Sequence, residues 1–159
     1  MQSFLRRAAV GLLSLAALSC ASGSVFQLSH EEQVALREAM DTPLDFVVPR
    51  ERSIASWDRA REFIDRYSTM KLRSTTDSVL VSYDSPMYSS DPPPSVRGSN
   101  LHYGYSIVRS RDPAGGGTKI AVQGTSSSDL GKKDAEQNAH IAAYYILTGY
   151  LGCARCVVR

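Results

Sequence analysis

The sequence predicts a two-layer α+β domain, a small antiparallel sheet of three to four strands with helices packed on one face. Three observations predict it. Two long stretches wind into helices that each carry an apolar side, one before and one after a strand-rich middle. That middle contains short runs in which apolar and polar residues alternate. Between two of the runs lies RDPAGGG, a proline and three glycines where a hairpin needs unusual dihedrals. The chain of 159 residues divides into a signal segment at 1–19, a short tether at 20–29 and one domain at 30–159.

The first element is an export signal. MQSFLRR places Arg6 and Arg7 ahead of AAVGLLSLAAL, an uncharged and mostly apolar run ending at Leu18. That is the positive n-region and apolar h-region of a signal peptide. The residues that follow, Ala17-Leu18-Ser19-Cys20, resemble the lipobox of bacterial lipoproteins. The resemblance covers the signal and these four positions, and no family is identified after Ser24. It implies cleavage before Cys20, a diacylglyceryl thioether on its sulfur and often a third acyl chain on its new amino group. More than one chain makes anchoring stable, since each buried methylene contributes about 0.8 kcal/mol. Ala21 stands where an Asp often retains such proteins at the inner membrane, so the outer membrane is favoured if the source has one. Two other readings compete. Ser19-Cys20-Ala21 also suits an ordinary signal peptidase, and the uncharged residues 8–29 also suit an uncleaved anchor, although a spanning helix needs about 20 predominantly apolar residues and this run is broken after Leu18.

Processing changes the charge. The chain has 18 Lys+Arg against 16 Asp+Glu, and Arg6 and Arg7 leave with the signal while no acid does. The mature protein is then formally neutral. Nucleic-acid binding leaves a basic footprint, so nucleic acid is excluded as a partner. After Cys20 the tether ASGSVFQLS reaches roughly 30 Å when fully extended, which keeps the domain close to the membrane.

Ser29-His30-Glu31-Glu32 has the form of a capping box and predicts a helix over His30–Met40, stopped by Pro43. A second helix is predicted over 53–70. Wound at the helical period it gathers Trp57, Ala60, Phe63, Ile64, Tyr67 and Met70 on one side, and Asp58, Arg59, Arg61, Glu62, Asp65 and Arg66 on the other. Ordinary packing explains Trp57 and Tyr67, with a ligand pocket as the alternative. Strands are predicted from Val79, Val81 and Tyr83, from Leu101, Tyr103, Tyr105 and Ile107, and from Ile120 and Val122. Residues 70–72 either add a strand or extend the first one. Residues 84–100 have no period and contain three consecutive prolines, reading as a mobile hairpin connection or a polyproline ligand. The last helix is predicted over Lys132–Thr148, stopped by Gly149, with Ala135, Ala139, Ala142, Ala143 and Ile146 allowing close approach to the sheet.

Few residues carry recognisable chemistry. With Cys20 lipidated, Cys153 and Cys156 remain as a pair in an oxidising compartment, where a disulfide is the default and a redox pair the alternative. His30, His102 and His140 are too scattered to complete a zinc site with them, so no metal and no cofactor are expected. Glu136, His140 and Tyr144 recur every fourth residue on the last helix, as an acid/base pair would and as a solvated helix face also does. His102 alternates onto the face opposite Tyr103 and Tyr105, together with Gly104 and Ser106 and with Lys119, Ala121 and Gln123 of the neighbouring strand. His102, Ser106 and Gln123 are therefore the candidate interaction residues. No phosphate loop, nucleophile elbow or dinucleotide fingerprint occurs in the mature chain. The expected function is a membrane-anchored envelope lipoprotein whose domain binds another envelope protein. The alternative is a redox or hydrolytic enzyme using Cys153 and Cys156 or the Glu136/His140 ridge.

Overall fold

The structure, a computed structural model, describes residues 27–68, 70–83 and 103–158. In chain order it comprises α1 (His30–Met40), β1 (Asp45–Pro49), α2 (Ser53–Tyr67), β2 (Leu72–Thr75), β3 (Val79–Ser82), β4 (Tyr103–Arg111), β5 (Gly117–Ser126) and α3 (Lys132–Thr148), with short 3-10 turns at Arg50–Arg52, Asp129–Gly131 and Ala154–Cys156. The strands form one antiparallel sheet in the order β1-β5-β4-β3-β2. All three helices lie on one side of it, α3 against β5 and α1 and α2 against α3. The class is α+β with two layers.

The sheet has five strands among the described residues, one more than the upper expectation. The additional strand is β1. It buries only Phe46 and Val48 and ends in Pro49, a pattern too short to register as alternation. It lies at a sheet edge, where a proline lacking its N–H is tolerated. The ambiguity at 70–72 resolves as a separate strand, β2. In β3 the buried residues are Leu80 and Ser82, with Val79 and Val81 half-buried on the opposite face. The sequence SVLVS is apolar at both parities, so alternation alone does not select the inward one. Ser82 is accommodated because its Oγ accepts the Tyr105 N–H at 2.8 Å and donates to the Tyr83 carbonyl.

The helices start and stop for local reasons. Ser29 Oγ accepts the Glu32 N–H at 3.2 Å, and the Ser29 N–H donates to Glu32 Oε2 at 2.8 Å, completing the capping box of α1. Helix α2 ends at Tyr67, short of the expected residue 70, and Met70 is nonetheless buried. Helix α3 ends at Gly149 in the left-handed conformation, φ 79°. The Arg59 guanidinium of α2 donates to the carbonyls of Ile146 and Leu147, placing a cation at the negative end of α3.

The core sits between sheet and helices. Phe63 is its centre, with ring centroids 5.4 Å from Tyr105, 5.9 Å from Tyr145 and 5.5 Å from Tyr67, so one aromatic cluster joins α2, β4 and α3. Ala135, Ala139, Ala142 and Ala143 are all buried, and a Cβ built on Gly124 would lie 1.9 Å from the Ala135 carbonyl oxygen. Only glycine admits that approach of α3 to β5.

After Gly149 the chain turns back along α3 and is clamped there. The buried Asn138 amide donates to the Val158 carbonyl and accepts the Val158 N–H, both at 2.8 Å, pairing with the chain as a strand neighbour would. Gln137 donates to the Cys156 carbonyl at 2.9 Å. Arg155 forks onto Glu32 of α1, Nε to Oε1 at 2.7 Å and Nη2 to Oε2.

Candidate functional site

The face of the sheet turned away from the helices carries two of the three expected interaction residues. Antiparallel register sets Ser106 of β4 directly opposite Gln123 of β5, with Gly104 opposite Thr125 and Val108 opposite Ala121. His102 and residues 84–100 lie outside the described residues, as does Cys20. The face is mixed in character. Val47 and Val108 are exposed, and Asp45 and Lys119 form an ion pair at 2.8 Å across its edge. No described helix covers it.

The Glu136, His140 and Tyr144 ridge is divided among separate tasks. His140 Nδ1 donates to the Thr42 carbonyl at 2.8 Å, since a carbonyl only accepts, and this fixes the imidazole against the loop after α1. The Tyr144 hydroxyl donates to Glu38 Oε2 at 2.7 Å. That bond and burial push the Tyr144 phenol up to about 12. Glu136 is exposed, and among the described residues no hydrogen bond or ion pair joins it to His140. His140 and Tyr144 therefore belong to the seam between α3 and the end of α1, and Glu136 lies outside it.

Cys153 and Cys156 stand at disulfide distance, with sulfurs 2.02 Å apart, both thiol positions buried in the returning tail. Among the described residues no three His, Cys, Asp or Glu side chains gather as metal ligands, and no helix is long and apolar enough to cross a membrane.

A polar concavity lies elsewhere, at the end of the sheet where α2 begins. It is a cleft of about 640 Å³ whose wall includes Arg50, Arg109, Arg111, Ser53, Ser78 and Thr118. Arg109 and Arg111 continue the inward alternation of Tyr105 and Ile107 toward the end of β4, beside the start of α2. Thr118 lies opposite Arg111 on β5, and its hydroxyl meets Ser53 of α2 at 2.7 Å. Arg50 follows β1 on the other side of β5. The guanidinium of Arg109 stacks 4.5 Å above the Trp57 ring, and its Nε donates to the Asp77 carbonyl. Trp57 is thus a buried platform under a cation, while Tyr67 belongs to the aromatic core.

The three arginines were not legible as a group, because strand pairing alone brings positions 50, 109 and 111 together. One signal was available: two arginines at inward positions of β4, after Ile107, where an apolar pair would be expected. No family model matches the chain, and neither curated proteins nor solved structures provide a match.

Proposed function

We propose that the chain is a lipid-anchored envelope protein, held to the membrane through Cys20, whose domain is a binding module for another envelope protein. The lipobox-like Ala17-Leu18-Ser19-Cys20 supports the anchor. The observation that carries the binding half is how the domain uses its reactive groups. His140 and Tyr144 hold α1, and Cys153 and Cys156 hold the tail, while the sheet face with Ser106 and Gln123 has no described helix on it. A face of small residues with exposed Val47 and Val108 suits a protein partner, with the Asp45 and Lys119 ion pair on its rim.

The test places a photo-crosslinking residue at Ser106 or Gln123 in intact cells. A reproducible envelope protein captured at both positions, and lost when the same residue is placed at Asp65 on the outer side of α2, is the expected result. Equal capture at all three positions contradicts the assigned face. Replacement of Cys20 by Ala is expected to release the protein from the membrane fraction or leave it as an uncleaved precursor.

A further inference from the structure

The geometry points to the cleft between Arg50, Arg109 and Arg111 as a binding site for a phosphate-bearing ligand. Among the described residues no carboxylate lines its wall. Asp112, next to Arg111, is occupied within its own loop, where it accepts the N–H groups of Ala114 and Gly116. Arg109 is already fixed, stacked on Trp57 and bonded to the Asp77 carbonyl, so one cation is oriented before any ligand arrives. Arg50 and Arg111 are exposed and pair with no carboxylate among the described residues. They approach from opposite sides of β5.

Donor number favours phosphate. Three guanidiniums, the Ser78 hydroxyl and the hydroxyl pair of Ser53 and Thr118 offer more donors than the two oxygens of a carboxylate accept. A phosphate monoester presents three terminal oxygens in a tetrahedral array, which suits donors arriving from three directions. The first turn of α2 contains no acidic residue and no side-chain cap, so the helix end adds potential of the same sign. Such a phosphate belongs either to a phospholipid headgroup or to a soluble phosphate ester. The inference is independent of the anchor and of the sheet face, and stands whether or not Cys20 is acylated.

Trp57, the single tryptophan of the chain, reports on Arg109 directly. The full native protein in mild detergent is titrated with sodium phosphate and, separately, with dihexanoyl phosphatidic acid, against sodium chloride and sodium acetate at matched ionic strength. A saturable change in Trp57 fluorescence with a phosphate compound, not reproduced by the two control salts, is expected. The Arg50→Gln/Arg111→Gln variant, altered at exposed side chains and folded as judged by its melting temperature, should bind at least about tenfold more weakly. Tighter saturation by the lipid assigns the headgroup, and tighter saturation by inorganic phosphate assigns a soluble ester. Absence of saturation with both compounds, an equal response to acetate, or unchanged affinity in the variant overturns the proposal.

Discussion

Asn138 shows how one side chain closes the fold. It is completely buried on α3, and its amide satisfies both backbone groups of Val158, which no secondary structure pairs. Asn138→Ala is expected to lower stability by about 2 to 4 kcal/mol, because two backbone groups lose their partners as a small void opens. Asn138→Asp should cost more, since it removes the donor and buries a charge. Urea midpoints of the variants check both expectations. Gly124→Ala, with a Cβ 1.9 Å from the Ala135 carbonyl oxygen, is expected to cost about 3 kcal/mol by driving α3 from β5. A loss below that of an exposed Gly→Ala control would contradict the close approach. Asn138 was legible in principle, since it follows Ala135 by three and precedes Ala142 by four on the buried side. The amide's partner was not legible, because it lies on a tail whose return path no local pattern specifies.

The elements divide sharply in how far the sequence specifies them. Helices α1 and α3 begin and end at the expected residues because Ser29 and Glu32 form a reciprocal cap and Gly149 adopts a left-handed conformation, both local events. Strands β1 and β3 were harder, since β1 has two inward residues and β3 is apolar at both parities. Helix α1 is held to the rest by Glu32 with Arg155 and Glu38 with Tyr144, and these contacts set its pH response. The Arg155 guanidinium, followed by the Ser29 N–H, holds the Glu32 carboxyl at about 2, below its ordinary 4.5. A depressed acid contributes stability in full above its unfolded value and loses it as pH falls, here between about pH 4.5 and 2. Tyr144, and Tyr103 with its burial and its bond to Asp134, are raised from 10 to about 12, so their contribution is complete below pH 10 and fades above it. Urea midpoints should therefore decline on both flanks, and Glu32→Gln should flatten the acid flank. An acid flank unchanged in that variant would remove Glu32 as its source.

At the scale of the whole molecule, the helices form one layer on one side of the sheet, and the other side carries no described helix. The fold class follows from the helical and alternating periods because those periods report burial. The arginine cleft depends on the order in which strands pair, which periodicity does not encode. The tail with Cys153 and Cys156 also acts globally, holding the chain end across α1 and α3. With a sequence separation of 3 the loop is short, so replacing both cysteines by Ser should lower stability by about 2 kcal/mol and retain the fold. Loss of a cellular phenotype without loss of stability would instead favour a redox role. The proposed anchor and envelope role require a protein that leaves the cytoplasm, is acylated on Cys20 and carries an oxidised Cys153 and Cys156 pair, whereas the arginine cleft does not. The most direct test is the intact mass of the membrane-extracted native protein, taken before and after reduction. The account predicts a chain beginning at Cys20 plus acyl groups, with a gain of about two hydrogen masses on reduction. A chain without acyl groups, or one that retains residues 1–19, would contradict the anchor and remove the basis for placing this domain at a membrane.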